Sequence, residues 1–144
     1  MNPNRKKRFQ EVIFILGIMG LLVSIYLTYI HYFPAESAIC DLGETLTCSS
    51  VDKNSYSTIF KVPVAAFGVA WFAVLLLLNG MAYHKDSAWS REVLAWSVVG
   101  ILFVIYFIAI EIMIKTLCPF CTLVHLAVII TLVLSSLIYV KGSQ

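Results

Sequence analysis

Four continuous runs of apolar residues constrain the fold of this chain more than any other feature. They cover about residues 12–33, 62–83, 93–114 and 120–140. A helix rises about 1.5 Å per residue, so each run is long enough to cross the roughly 30 Å hydrocarbon core of a bilayer. A backbone in lipid must satisfy its own hydrogen bonds, and the apolar residues do not alternate as in a strand. The sequence therefore predicts an all-α membrane protein, a bundle of four transmembrane helices.

The composition supports this fold class. Of 144 residues, 60% are hydrophobic and only 12% are charged, whereas a soluble domain carries about 25% charged residues. The first apolar run is too long for the roughly 7–15-residue core of a cleaved signal peptide, so we expect it to remain as a membrane helix. No internal repeat or second domain is visible, and residues 1–144 are predicted to form a single domain.

The distribution of basic residues predicts the orientation, because Lys and Arg concentrate in cytoplasmic flanks. With the N-terminus inside, seven basic residues lie inside: Arg5, Lys6, Lys7, Arg8, Lys85, Arg91 and Lys141. Three lie outside: Lys53, Lys61 and Lys115. We therefore expect a multi-pass protein of the plasma membrane with both termini in the cytoplasm. The basic cluster at residues 5–8 is interpreted as a topology signal, and no nucleic-acid partner is expected.

The first loop, residues 34–61, is predicted to be extracytoplasmic. It is more polar than the rest of the chain, and its second half mixes polar residues with Val51, Ile59 and Phe60. This pattern predicts a short surface helix or lid that caps the bundle. Pro63 suits the first turn of the second helix, where a missing N–H costs nothing. Small residues in that helix favour close helix packing: they are Ala65, Ala66, Gly68, Ala70 and Ala73.

All four cysteines fall on the predicted outer side, in a compartment that permits disulfides. Cys118-Pro119-Phe120-Cys121 opens the fourth helix, with Pro119 at its first helical position. Free N–H groups and the dipole at a helix N-terminus stabilise a thiolate, which is the attacking species in disulfide exchange. Residues three apart share a helix face, so this pair can form and open a disulfide. The spacing favours redox chemistry over a structural staple.

The other pair, Cys40 and Cys48, has seven residues between its members. This spacing permits a local disulfide and also lets each sulfur move independently, as a thiol shuttle requires. A structural disulfide is the alternative interpretation. A zinc site from all four cysteines is disfavoured because such sites use ligand pairs about two to four residues apart, so no metal is expected.

Electrons that leave the Cys118–Cys121 pair need an acceptor, and lipid-soluble quinones reside where the fourth helix enters the bilayer. Cys118, Cys121 and His125 fall on one stripe of that helix, so His125 is a candidate to hydrogen-bond a quinone or relay a proton. Glu111 lies near the outer end of the third helix, and acids within a membrane are functional candidates, so Glu111 is a candidate to bind a quinone or relay a proton. A histidine bonded to a neighbouring helix and an acid that reaches the surface are the structural alternatives.

The order of these features resembles the vitamin K epoxide reductase family across nearly the whole chain. The matching residues are Cys40-Asp41-Leu42-Gly43, Cys48-Ser49, Tyr56-Ser57, Phe60, Pro63, Phe67-Gly68 and Cys118-Pro119-Phe120-Cys121. The resemblance implies that Cys121 faces the quinone and that Cys118 is its partner, which also forms an interloop disulfide with Cys48. It implies that Cys40 exchanges with an external thioredoxin-like protein.

Other positions are assigned by the same resemblance. Phe67 is a candidate quinone contact. Asn54 stands where the family usually has a serine or threonine, and its amide can still hydrogen-bond. His125 stands where the animal enzymes have a tyrosine, and the asparagine they carry early in the second helix has no counterpart in Pro63-Val64-Ala65.

These departures favour a bacterial type of role over reduction of vitamin K epoxide. The expected activity is that of a thiol:quinone oxidoreductase, which oxidises a thioredoxin-like, DsbA-like protein in trans. Its electrons pass through Cys40 and Cys48 to Cys118 and Cys121, and then to ubiquinone, menaquinone or phylloquinone. Quinone-epoxide reduction and a non-catalytic membrane protein with stapling disulfides are the two alternatives.

Overall fold

Four long helices dominate the computed structural model, which describes residues 2–33, 58–59, 62–84, 88–115 and 117–142. The helices are α1 (Pro3–Tyr32), α2 (Val64–His84), α3 (Ala88–Ile114) and α4 (Pro119–Gly142). All four are long and apolar enough to cross a membrane. The predicted fold class, a four-helix membrane bundle, is therefore confirmed.

The helix α1 begins earlier than its apolar run. Pro3 occupies the first turn, where its missing N–H leaves no hydrogen bond unmade, and the Asn2 side chain caps the helix by accepting from the Asn4 N–H at 3.1 Å. The basic cluster at residues 5–8 thus lies within the first turns of α1 rather than ahead of the helix. Its exposed side chains extend the apolar helix into the polar headgroup region.

A small hairpin precedes α2. The strands β1 (Thr58–Ile59) and β2 (Val62–Pro63) pair antiparallel, with Thr58 opposite Pro63. The short surface helix predicted for this part of the loop is therefore not present at residues 58–59, and residues 34–57 lie outside the described structure. The position predicted for Pro63 is wrong by one residue, because Pro63 ends β2 and α2 begins at Val64.

The helices follow an up-and-down order around the bundle. The principal contacts join α1 to α2, α2 to α3, α3 to α4, and α4 back to α1. Contacting residues run in opposite directions along each neighbouring pair, as Gly17 with Leu76 and Gly68 with Ser24 show for α1 and α2. The C-terminal ends of α1 and α3 therefore lie with the N-terminal ends of α2 and α4. This end of the bundle, which holds Cys118, is called the cysteine end.

Small residues let the helices approach closely, as the sequence predicts. A Cβ added to Gly68 would lie 2.8 Å from the Ser24 hydroxyl of α1. Gly20 of α1 packs directly on the ring of Phe72, which is only 1% exposed. The bundle is therefore joined by backbone-to-side-chain contacts that larger residues would prevent.

Two tryptophans fasten α2 to α3 at mid-bundle. The Trp71 indole N–H donates to the Trp96 carbonyl at 3.2 Å, and the Trp96 indole N–H donates to the Trp71 carbonyl at 3.0 Å. Their rings stack with centroids 6.5 Å apart. Both indole donors are thus satisfied away from water, and the pair fixes the register of α2 against α3.

Candidate functional site

Cys118 immediately precedes α4 at the cysteine end of the bundle, and Pro119 is the first helical residue, as predicted. The Cys118 side chain is fully buried, whereas Cys121 is half-buried. The Cys121 backbone N–H donates to the Cys118 sulfur at 3.2 Å. The first turn of α4 therefore brings the two residues of the pair together and directs a backbone donor at the first sulfur.

Hydrogen bonds to Cys118 determine the direction in which its pKa is shifted. A hydrogen bond from the Cys121 side chain lowers the pKa of Cys118 below its ordinary value, with help from the Cys121 and Phe120 backbone N–H groups. Burial and the nearby Glu111 charge act in the opposite direction, but the hydrogen bonds outweigh them. The buried Cys118 thiol is therefore more acidic than an ordinary cysteine, which favours the thiolate that exchanges with disulfides.

A cavity of about 130 Å³ runs from the cysteine end into the bundle. Apolar and aromatic side chains from all four helices make most of its wall, and its inner end is formed by Trp71, Phe72, Gly100 and Val128. An apolar cavity of roughly this size accommodates a six-membered ring. The space is therefore suited to a small apolar ring compound.

The few polar side chains of the cavity gather at its cysteine end. Cys118, Cys121 and His125 all line it, so the stripe predicted on the fourth helix does face a single space. The buried His125 ring stacks on Phe107 of α3, with centroids 6.1 Å apart and ring planes 19° apart. A pair of cysteines and an imidazole thus border the same apolar cavity.

Glu111 contributes a carboxyl group to the same wall. It is 5% exposed, so it does not reach the surface, and its Oε1 accepts a hydrogen bond from the Cys118 backbone N–H at 3.4 Å. The surface interpretation of Glu111 is therefore wrong. The acid lies inside the bundle and directly contacts the backbone of the first cysteine.

The exposure of two wall residues indicates that the cavity opens between α2 and α3. Phe67 and Phe103 both line it, and they are 37% and 38% exposed. They belong to neighbouring helices, α2 and α3, and other large apolar side chains of these helices are exposed as well. A compound with a ring in the cavity and a long apolar tail can extend the tail through this opening.

Three predicted site residues, Cys40, Cys48 and Asn54, lie outside the described residues. The chain that carries them leaves α1 at the cysteine end and returns to β1 and α2 at that same end. Within residues 2–33, 58–59, 62–84, 88–115 and 117–142, no group of three His, Cys, Asp or Glu side chains could hold a metal ion.

Sequence reasoning missed the residues that shape the inner end of the cavity. A Cβ on Gly100 would collide with the Trp71 ring, so the tryptophan occupies the space that the glycine leaves open. An apolar run in the sequence does not show which aromatic side chains face lipid and which face a cavity. Trp71 is therefore not distinguishable from its apolar neighbours by sequence. Glycines within the predicted membrane helices were the available signal, because close approach of another group is one reason for glycine in a helix.

The comparisons with known proteins agree with this arrangement. The model of the Vitamin K epoxide reductase family matches residues 11–136, which cover all of α2 and α3 and most of α1 and α4. No curated protein matches the chain significantly.

Proposed function

The chain belongs to the vitamin K epoxide reductase family of membrane oxidoreductases, and we propose that it is a thiol:quinone oxidoreductase that oxidises a thioredoxin-like protein. The family uses quinone and disulfide chemistry in general. The observation that carries the proposal is the cavity of this chain, whose largely apolar wall includes Cys118, Cys121 and His125.

The proposed sequence of steps begins outside the described residues. A thiolate of the partner attacks the Cys40–Cys48 disulfide at Cys40, and the Cys48 thiolate is released. Cys48 attacks Cys118 in the Cys118–Cys121 disulfide, which releases the Cys121 thiolate towards the quinone. Each step forms one disulfide bond and breaks another through a mixed disulfide.

The second partner thiol then restores the enzyme. It displaces Cys40, and Cys40 displaces Cys118 from Cys48. The Cys118 and Cys121 thiolates then re-form their disulfide by giving two electrons to the quinone, which takes up two protons. In sum, one partner dithiol becomes a disulfide, and two electrons and two protons convert the quinone to a hydroquinone. Ubiquinone, menaquinone and phylloquinone all have the ring and apolar tail that the cavity and its opening require.

His125 is proposed to hydrogen-bond the quinone ring or to carry one of the two protons. Its ring is held by Phe107 and borders the cavity, so it lies beside any ring compound bound there. Phe67 is proposed to contact the ring or the start of the tail at the opening. Asn54 keeps its proposed role as a hydrogen-bonding residue of the loop.

The proposed orientation places the cysteine end outside the plasma membrane and both termini in the cytoplasm. The excess of basic residues at the opposite end supports this orientation. It would expose Cys40 to a secreted thioredoxin-like partner of the DsbA type, which acts in trans.

Reconstitution in lipid vesicles tests the activity. A reduced thioredoxin-like protein should drive loss of quinone absorbance with ubiquinone or menaquinone. Cys121→Ala should abolish that loss, while Cys48→Ala should accumulate a mixed disulfide between Cys40 and the partner. No quinone reduction by the wild-type protein, or undiminished reduction by Cys121→Ala, would reject the proposal.

Vitamin K epoxide serves as the parallel substrate in the same assay. Epoxide reduction requires an acid beside the attacking sulfur to protonate the epoxide oxygen, and His125 lines the same cavity as Cys121. Turnover of the epoxide but not of quinones would favour that alternative. A non-catalytic protein with stapling disulfides would reduce neither substrate, and its cysteines would react with alkylating reagents only after denaturation.

A further inference from the structure

We propose that Glu111 is a positioning residue that holds Cys118 at the start of α4 by accepting a hydrogen bond from its backbone N–H. The expected effect of this contact on catalysis rests on the thiol:quinone activity proposed above. The contact itself is independent of that activity. This positioning role is distinct from the quinone binding or proton relay that the sequence predicts for Glu111.

The contact connects two helices across a short turn. Glu111 lies in the last turn of α3, and Cys118 directly precedes the first residue of α4. The Glu111 Oε1 lies 3.4 Å from the Cys118 nitrogen, and Glu111 is buried. An N–H in this position has no partner within its own helix, because the first four N–H groups of a helix have no carbonyl four residues earlier. The carboxyl group supplies that partner from the preceding helix.

The turn between the helices contains a residue in an unusual backbone conformation. Lys115, just after α3, has a left-handed backbone with φ of 54°, which is uncommon for a residue with a side chain. Its N–H donates to the Ile112 carbonyl at 3.3 Å. A strained turn persists only where surrounding contacts hold it. The hydrogen bond between Glu111 and the Cys118 N–H is one such contact, and it joins the two sides of the turn.

The hydrogen bond, rather than the negative charge, is the useful part of the carboxyl group. The charge of Glu111 raises the pKa of Cys118 and thus opposes the thiolate that exchange requires. The same position filled by a neutral oxygen acceptor would keep the N–H bond and remove this opposition. Glutamine at position 111 should therefore preserve the position of Cys118, whereas an apolar side chain of similar size should not.

Misplacement of Cys118 should slow electron transfer more than it weakens quinone binding. Cys118 must receive an attack from the loop and also re-form its bond with Cys121, and a shift of about 1 Å in reacting groups can cost about 100-fold in rate. The quinone contacts proposed for His125 and Phe67 lie elsewhere on the cavity wall.

The test compares Glu111→Gln with Glu111→Leu and Glu111→Met in vesicles. We expect both apolar variants to lower kcat for quinone reduction by about tenfold, the loss expected for one buried hydrogen bond, with KM for quinone nearly unchanged. Glu111→Gln should stay close to the wild type. Glu92→Leu is the matched control, because Glu92 is an exposed acid near the other end of the same helix.

Hydrogen exchange of the Cys118 amide gives a readout that needs no quinone. Exchange should be about tenfold faster in the apolar variants and unchanged in Glu111→Gln. Equal exchange in the wild type and Glu111→Leu would overturn the proposal, as would a folded Glu111→Gln that loses activity like Glu111→Leu. If the wild type reduces no quinone, the proposed function fails, while the exchange result still decides the role of Glu111.

Discussion

Cys118 gains its reactivity from its neighbours rather than from exposure to water. Its sulfur is fully buried, yet the Cys121 side chain and backbone both donate to it and lower its pKa. In an apolar environment a cysteine would ordinarily stay protonated. The reactivity of Cys118 thus depends on Cys121, its partner in the pair.

Removing the Cys121 donor should raise the pKa of Cys118. In Cys121→Ala the thiolate loses its strongest hydrogen bond, so the pH at which half of Cys118 reacts with iodoacetamide should move upward. Cys121→Ser keeps a hydroxyl donor and should give a midpoint below that of Cys121→Ala. The measurement is the rate of alkylation against pH in vesicles. Equal midpoints in the two variants would show that the Cys121 side chain does not stabilise the thiolate.

A second residue-scale feature lies far from the cysteines. The Asn79 Nδ2 donates to the Gln10 carbonyl at 2.9 Å and thereby joins α2 to α1. The Asn79 Oδ1 and the Ser90 hydroxyl are buried and have no hydrogen-bond partner among the described residues. Buried polar atoms in this state reduce stability.

The two side chains should respond differently to truncation. Ser90→Ala removes a hydroxyl that makes no hydrogen bond to the described part of the chain, so we expect stability to be unchanged or raised by up to about 1 kcal/mol. Asn79→Ala loses the bond to Gln10 and should cost about 1–2 kcal/mol. Unfolding in a series of detergent mixtures measures both. A larger loss for Ser90→Ala than for Asn79→Ala would contradict this assignment.

At the scale of whole elements, glycines decide how closely α1 and α2 pack. Gly20 lies against the Phe72 ring, and any side chain there would have to displace a fully buried aromatic group. Gly80, on α2, has nothing within 4 Å of the place where a Cβ would lie. Helix packing therefore requires a glycine at position 20 but not at position 80.

Substitution of these glycines tests the packing of the two helices. Gly20→Val should lower the free energy of unfolding by about 1–3 kcal/mol because it overpacks the α1–α2 contact. Gly80→Ala is the matched control and should be neutral or stabilising by up to about 1 kcal/mol, since alanine is the better helix former. The same detergent unfolding measurement applies. A tolerated Gly20→Val would show that the two helices can separate without cost.

At the scale of the whole molecule, the up-and-down order places the two ends of α3 on opposite membrane surfaces. Lys115 is exposed just beyond the cysteine end of α3, and Glu92 is exposed near the other end. Their separation of 23 residues corresponds to about 35 Å of helix, enough to cross the hydrocarbon core. These positions therefore report the orientation of the bundle.

Labelling at these positions tests the proposed orientation. In a background without native cysteines, Lys115→Cys should react with a membrane-impermeant maleimide in intact cells. Glu92→Cys should react only after the membrane is permeabilised. The reverse pattern would place the cysteine end in the cytoplasm, where reducing conditions disfavour the proposed disulfide relay.

Much of the fold was predictable because hydrocarbon leaves a backbone few choices. The spans predicted near residues 62–83 and 120–140 lie within two residues of α2 and α4, since apolar length and helix length are tied together in a membrane. The third span, 93–114, ends with α3, but α3 begins five residues earlier, at Ala88. The start of α1 and the hairpin at Thr58–Ile59 were not predicted. Both lie at the polar edge of the bilayer, where apolar length no longer sets the boundaries.

The candidate site divides in the same way. Pro119 at the start of α4, and the common face of Cys118, Cys121 and His125, follow from helix periodicity, which is a local property. The contact of Glu111 with the Cys118 backbone does not, because it depends on how α3 turns into α4. The proposed roles of Cys40, Cys48 and Asn54 remain predictions from the resemblance.

The sequence by itself determined that the chain crosses a membrane four times and carries its CxxC pair at the start of the last helix. Only the tertiary structure decided what that pair faces. Lipid-facing and cavity-facing side chains are equally apolar, so hydropathy does not separate them. Packing of the four helices creates the cavity beside the cysteines, with Gly20 and Gly68 setting the approach of α1 to α2 and the paired Trp71 and Trp96 joining α2 to α3.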